Sequence, residues 1–494
     1  MRSLPNARLV PSVQDYIDEQ PAWADGTAVS TAPMTAMQWR IWSLAAAGKF
    51  FEGFVVFMTG VALPLISREF GIGAAQNGLV TAATLFGILI GAIVLGGLAD
   101  KFGRKRMFVV EMIIFVVFLT MVTLANNVVV LICSLFGLGL ALGCDYPTAH
   151  LIISENIAST SRGRLVLGAF AFQAVGALAG TGVGFLVLRH NPTIEAWRWM
   201  FATALIPAIA VTIGRFSIIE SANWLWSRGE LLPAERAVSR LLLRQPRYPS
   251  SVALEVPHER HLDLHRGSRL AALFSDPHNR RATILASVPW FLQDLATYGI
   301  GIFTPTILAV AFGSPIDHVR STADIITDDI LAAKGSAAIS SLLILGILCA
   351  VLLADRVGRI KLQIAGFIGC AAGLFLAALS TSFAGHTQIA LIFAGFMLFD
   401  FMTNLGPNAQ TYLLAGEVFP TPIRGVGAGF AAAFAKLGAV LTAFLFPILL
   451  TGIGTRALLG LLIVASLLGA LVTWLFRIET NGVKLDRIGI GPGA

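Results

Sequence analysis

Twelve apolar runs, each long enough to cross a bilayer, leave this chain few folds to choose from. They lie near 43–66, 78–99, 106–125, 128–153, 164–188, 199–218, 283–312, 336–354, 361–380, 387–414, 425–450 and 456–476. A helix needs about 20 mostly apolar residues to span the hydrocarbon, and it satisfies every backbone N–H and C=O internally. The expected fold is therefore an all-α membrane protein of twelve transmembrane helices. Composition agrees: of 494 residues 56% are hydrophobic and 13% charged, where soluble chains carry about 25% charged residues. Cys133, Cys144, Cys349 and Cys370 all fall inside apolar runs, at spacings that suit neither a disulfide framework nor a metal site.

The net charge of +7 is a statement about topology, not nucleic acid. Lys101, Arg104, Lys105 and Arg106 crowd the loop after run 2. Arg162 and Arg164 mark the loop after run 4, and Arg356, Arg359 and Lys361 the loop after run 8. The loop at Asn126-Asn127 has no Lys or Arg. By the positive-inside rule both termini are cytoplasmic. The first forty residues lack the basic-then-apolar order of a cleavable signal, so the first spanning helix is expected to act as the insertion signal. The expected division is a cytoplasmic tail 1–42, a six-helix bundle 43–218, a cytoplasmic loop 219–282, a second bundle 283–477 and a cytoplasmic tail 478–494. Compact loops favour a cell (inner) membrane.

The two halves repeat each other. Asp100-Lys-Phe-Gly103-Arg104-Lys-Arg follows run 2, and Asp355-Arg-Val-Gly358-Arg359-Ile-Lys follows run 8. Glu155 precedes Arg162-Gly163 by seven residues after run 4, and Glu417 precedes Arg424-Gly425 by seven after run 10. Two six-helix halves related by an axis along the membrane normal are the layout of a rocking carrier. On these motifs the chain resembles the major facilitator superfamily from about residue 43 to 477. The resemblance implies a cytoplasmic charge network that closes the inner side, formed by Asp100, Arg104, Glu155, Arg162, Asp355, Arg359, Glu417 and Arg424. Positive-inside bias alone would account for the basic residues but not for the acids beside them.

Glu220-Ser-Ala-Asn-Trp224 resembles the start of the central loop in sugar-porter relatives. That likeness implies a short amphipathic helix over 232–244, with Leu241, Leu242 and Leu243 dipping to the interface. The segment 313–335, with Asp317, Asp324, Asp328 and Asp329, reads as a long acidic loop on the outer side.

Run 7 holds an ionisable carboxylate, Asp294, in the middle of apolar sequence. Such a group is expensive in lipid and normally faces a polar cavity. Trp290, Asp294 and Tyr298 are spaced by four, so they share one helical face. The bland alternative is that Asp294 pairs with a buried lysine while the aromatics fill core.

Further polar residues sit in runs 4, 5, 10 and 11: Gly143-Cys-Asp145-Tyr146-Pro147, Phe170-Ala-Phe-Gln173, Asn404-Leu-Gly-Pro407-Asn408 and Ala435-Lys436-Leu-Gly438. Asp145 to Gln173 is 28 residues, as is Asn408 to Lys436. With the run-7 stripe this set resembles the phosphate:proton symporter branch of the superfamily. The resemblance implies an anion pocket of Tyr146, Gln173, Trp290, Asp294, Tyr298, Asn408 and Lys436. Proton coupling falls to Asp294, Asp145 and Glu52, the last matching an acid of the family on the first helix. Where the family shows a second acid three residues later, this chain has Val55.

The chemistry is coherent without the likeness. A dehydrated oxyanion needs a ring of donors and at least one cation. Lys436 is the only Lys or Arg between Arg424 and Arg456, and it lies about 18 Å into its helix at 1.5 Å per residue. Snorkelling to an interface is its alternative role, and pairing with Lys49 is that of Glu52. An ionised Asp294 would repel a bound anion, so binding would require its proton.

These readings describe a proton-coupled symporter importing a small anion, inorganic phosphate first, by alternating access. A carrier of another organic anion or of a sugar, or a non-transporting nutrient sensor, remains open. No nucleophile–base pair, metal cluster or phosphate-cradling loop supports an enzyme. The expected partners are a small anion, protons and the lipid bilayer, with no cofactor, no nucleic acid and a monomeric state.

Overall fold

The computed structural model of the chain describes residues 12–19, 33–95, 98–159, 161–243, 252–254, 270–312, 322–420 and 423–480. Long helices fill them, and no strand occurs among the described residues. The first half comprises α1 (Ala36–Phe70), α2 (Ala74–Ile90, carried on by a π-helical turn Gly91–Leu95), α3 (Arg104–Thr123), α4 (Val128–Asn156) and α5 (Arg162–His190). It ends with α6, made of Ala196–Ala202 and Leu205–Phe216. The second half comprises α7 (Pro277–Phe312), α8 (Thr322–Val357), α9 (Arg359–Leu379) and α10, made of Gly385–Leu405 and Pro407–Glu417. The last helical stretch, Arg424–Leu475, breaks at Gly454 (φ 79°, ψ 166°) into α11 and α12. Only glycine occupies that backbone region without strain. The described residues thus hold the twelve spanning helices of the expected fold.

Local chemistry sets several boundaries. Thr35 caps α1 through a capping box with Gln38, and Gly71 closes it in the left-handed conformation at φ 61°. The Asn127 side chain accepts from the Val130 N–H to start α4.

Two expectations need correction. The acidic segment 313–335 is not a long loop: α8 begins at Thr322 and carries Asp328 and Asp329 on its first turns. Ile325, Ile326, Ile330 and Leu331 recur there at helical spacing, and Asp329 is buried. Residues 313–321, with Asp317, lie outside the described residues, as does the side chain of Asp324. The amphipathic helix is Leu231–Leu241, yet Leu241 and Leu242 pack into a protein cluster with Ile41, Ala149 and Ile218. Only Leu243 is exposed. A short helix, Val13–Asp18, buries Val13 and Ile17 in the same cluster.

Glycines let the helices approach closely, which is how membrane helices associate without a hydrophobic driving force. A Cβ on Gly53 of α1 would lie 2.0 Å from the Gln173 carbonyl oxygen of α5. The two halves meet in the same way at the end of the bundle away from Ala36. There Gly60 of α1 sits against the Ile302 carbonyl of α7, and Gly78 of α2 against that of Phe444 of α11. Beside them Thr81 donates to the Ala443 carbonyl at 2.7 Å.

Candidate functional site

Four helices from both halves bring a charged cluster together in the middle of the bundle. Lys436 on α11 places Nζ 2.7 Å from the Tyr298 hydroxyl, 3.2 Å from Asp294 Oδ2 and 3.6 Å from Glu52 Oε1. Tyr298 donates to Glu52 Oε1 at 3.1 Å. The Gln173 amide donates to the Tyr298 hydroxyl at 3.2 Å and to Glu52 Oε1 at 3.3 Å. Lys49, one turn before Glu52, donates to Glu52 Oε2 at 2.9 Å. Each of these groups other than Gln173 is at most 6% exposed, so the cluster is shielded from bulk solvent and every charge in it has a counter-charge.

The geometry shows which partners three of these groups take. Asp294 does pair with a buried lysine, and that lysine is Lys436 itself. Lys436 therefore does not snorkel, and it does not stand alone. Glu52 pairs with Lys49 and also faces Gln173, Tyr298 and Lys436.

A small cavity adjoins the cluster, walled by Gln173, Tyr298, Gln293, Thr297, Asn404 and Asn408 with Phe57, Ala174, Ala177 and Leu343. Asn408 donates to Asn404 Oδ1 at 2.6 Å, and Asn404 donates to the Leu343 carbonyl at 2.9 Å. Gln293 donates to Thr297 at 2.9 Å while its own Oε1 is buried without a partner among the described residues. Gln293 and Thr297 went unnoticed in the sequence because neither carries a charge to stand out from run 7. Trp290 lies on the cluster's helix, its ring edge-on to Tyr412 with centroids 6.1 Å apart. The side chain of Tyr146 lies outside the described residues.

Asp145 sits in a different environment from the rest of the expected proton path. It is held at 2.6 Å by Arg215 of α6, whose other nitrogen reaches Glu111 of α3 at 2.6 Å and the Phe108 carbonyl at 2.7 Å. Arg215 is fully buried. Asp145 still borders α1, because a Cβ on Gly48 would overlap its carboxylate. Glu111 and Arg215 are lone charges in apolar runs, the same signal that exposed Asp294.

At the end of the bundle nearest Ala36 the repeated motifs form matching assemblies. Arg104 binds Glu155 (Nη2 to Oε1, 3.1 Å) and Arg359 binds Glu417 (Nε to Oε2, 3.3 Å). Each arginine also donates Nη1 at 2.9 Å to a carbonyl five residues earlier, Ala99 and Ala354. Ser221 donates to Glu155, and Thr480 donates to Glu417. Glu220 accepts from the Lys105 N–H at 2.9 Å, and Glu479 from the Arg359 N–H at 3.1 Å. Both carboxylates thus sit at helix N-termini, where the helix dipole favours them. The motif glycines make room: Gly103 (φ 105°) and Gly358 (φ 99°) would each bring a Cβ within 3.0 Å of the adjacent glutamate. Arg162 reaches Ser159 Oγ at 3.5 Å, and Arg424 donates to the Phe419 carbonyl at 3.1 Å. The side chains of Asp100 and Asp355 lie outside the described residues. Glu479 and Thr480, assigned to a bare tail on sequence, are the counterparts of Glu220 and Ser221.

Comparison with known proteins agrees with this architecture. Residues 42–490 match the family model described as sugar (and other) transporter. The inner membrane metabolite transport protein YgcS of Escherichia coli is 28% identical over 94% of this chain and 96% of its own length. Probable inorganic phosphate transporter 1-12 of Oryza sativa subsp. japonica is 26% identical over 90% of each chain. Among solved structures, the partially occluded inward open conformation of the xylose transporter XylE from E. coli gives a TM-score of 0.71 at 18% identity, covering 91% of this chain and all of that one. With twelve helices in two motif-bearing halves and a match across nearly its whole length, the chain belongs to the sugar (and other) transporter family of the major facilitator superfamily: a multi-pass membrane transporter, not an enzyme.

Proposed function

We propose that the protein is a proton-coupled symporter that imports a small oxyanion, inorganic phosphate first, through a cell (inner) membrane with both termini cytoplasmic. The observation that carries this reading is Lys436, a buried cation at the interface of the two halves. Two carboxylates hold it, the Tyr298 hydroxyl lies 2.7 Å away, and the Gln173 amide donates to that hydroxyl, so an ammonium, a phenol and an amide converge as hydrogen-bond donors. An oxyanion needs such donors once its water is gone. Gln173, Asn408, Tyr146 and Trp290 would complete its ring of donors, and the rice protein named probable inorganic phosphate transporter 1-12 is a relative over most of the chain.

Coupling follows from the pairing of Asp294 with Lys436. An anion that takes Lys436 as its counter-charge leaves Asp294 uncompensated in a site shielded from bulk solvent, so Asp294 must take up a proton as substrate binds. Loss of that proton to the cytoplasm restores the ion pair and expels the anion. Asp145 and Glu52 serve as further proton stations. The assemblies built on Arg104–Glu155 and Arg359–Glu417, with Asp100, Arg162, Asp355 and Arg424, lie at the cytoplasmic side and close it in one phase of the cycle.

A sugar remains the second reading, because Gln173, Gln293, Asn404 and Asn408 give the cavity a wall of uncharged donors and acceptors that suits hydroxyl groups equally well. Proteoliposomes with an inward proton gradient separate the two. Radiolabelled phosphate should accumulate and be competed by excess phosphate but not by glucose. Accumulation of glucose instead, with no phosphate uptake, would discard the anion reading.

A further inference from the structure

The Glu52 carboxylate is surrounded as a bound anion would be. Its two oxygens accept from Lys49 at 2.9 Å, Tyr298 at 3.1 Å and Gln173 at 3.3 Å, with the Lys436 ammonium at 3.6 Å. Two of these donors belong to the first half and two to the second, and the group is 2% exposed. A side chain in structural pairing alone needs one cation. Here a single carboxylate engages two ammonium groups, a phenol and an amide, which is the donor set an incoming oxyanion would require.

We propose that Glu52 is a tethered occupant of the anion site, competing with substrate for the same donors. The proposal rests on the anion reading above and deepens it. While ionised, Glu52 bridges the halves and holds the cradle shut against other anions. A proton added to a Glu52 oxygen removes its charge, releases Lys49, Gln173 and Tyr298 from it, leaves Lys436 with Asp294 as its remaining carboxylate, and lets a phosphate or carboxylate headgroup take its place. The released donors then keep their inter-half contacts through the substrate.

The charged and titratable groups that face the cluster are Lys49 on the same helix, Lys436 on α11, Asp294 and Tyr298 on α7, and Tyr412 on α10. Asp145 on α4 lies against Gly48 of the same helix as Glu52, next to Lys49. Each of these survives in a Glu52→Gln variant, so a change in pH response can be assigned to position 52.

The test is equilibrium binding of radiolabelled inorganic phosphate to the purified full-length protein in lipid nanodiscs at pH 5.5 and 7.5. Linkage to one proton changes affinity by up to about tenfold per pH unit. Glu52→Gln should bind phosphate more tightly than wild type at pH 7.5, and its affinity should depend on pH less steeply by about one proton. Titration of phosphate itself is common to both proteins and cancels in the comparison. Glu52→Asp, which keeps the charge on a shorter arm, should retain the wild-type pH slope. Weaker binding by Glu52→Gln at pH 7.5, or an unchanged slope, would overturn the tethered-occupant role and leave the symporter reading standing. An equal loss of slope in Glu52→Asp would assign the effect to packing and overturn it too. Wild type that binds neither phosphate nor succinate at either pH would bring down the anion reading and this inference together.

Discussion

Phe170 of α5 stacks on Tyr412 of α10, ring centroids 4.6 Å apart and planes 17° from parallel, and the two residues belong to opposite halves. At the far end of the bundle the halves meet backbone to backbone, as Gly60 does with the Ile302 carbonyl. Between the cavity and the end nearest Ala36, this aromatic pair is a contact that side-chain rotation alone could open. An aromatic pair contributes about 0.5–1.5 kcal/mol beyond area burial. Tyr412→Ala should therefore speed maleimide labelling of an Ala174→Cys reporter in the cavity wall by about two- to tenfold. Unchanged labelling would mean that the stack does not gate access.

Lys436→Gln keeps hydrogen bonding but removes the only cation on α11 beyond its first residue, Arg424. A charge-assisted hydrogen bond is worth about 1.5–3 kcal/mol, so phosphate affinity should fall by roughly ten- to a hundredfold. A sugar substrate would be affected far less. Concentration-dependent uptake at one pH decides between them.

Asp294→Asn preserves shape and cannot cycle a proton. We expect proton-driven accumulation to vanish while phosphate exchange across the membrane at equal concentrations continues. A mutant that still concentrates substrate against a gradient would move coupling to another carboxylate.

Arg359→Ala removes the partner of Glu417 far from the cavity. The maximal transport rate should drop, with substrate affinity unchanged within about twofold, as holds for distant independent sites. Arg104→Ala should behave alike, because its contacts with Glu155 and Ala99 repeat those of Arg359. A large affinity loss at an intact rate would place these arginines against substrate.

Arg215→Ala leaves Asp145 and Glu111 buried without their counter-ion. Breaking a buried pair by removing one partner costs about 3–5 kcal/mol, so the thermal transition in detergent should fall well below that of wild type. A transition at the wild-type temperature would mean that water or another cation replaces the guanidinium.

Bilayer thickness made the architecture readable in one dimension. Each spanning helix must satisfy its own backbone, so apolar length alone marks it, and the doubled motifs at Gly103-Arg104 and Gly358-Arg359 reveal the two halves. Charge in an apolar run exposed Asp294, Glu52, Asp145 and Lys436 for the same reason: hydrocarbon tolerates such groups only with a partner or a cavity. Which partner each one takes was not legible. Lys436 and Asp294 are 142 positions apart, and Arg215 and Asp145 are 70 apart. Nothing local distinguishes Arg215 as the partner of Asp145 or Lys436 as that of Asp294. Uncharged wall residues such as Gln293 and Thr297 are invisible for the converse reason, since an amide or hydroxyl in an apolar helix is common. Only the packing of α1, α5, α7 and α11, set by glycines such as Gly53 against a neighbour's carbonyl, fixes which polar groups fall within hydrogen-bond reach. Distances of about 3 Å decide the site, and such distances between remote segments exist only in the folded bundle.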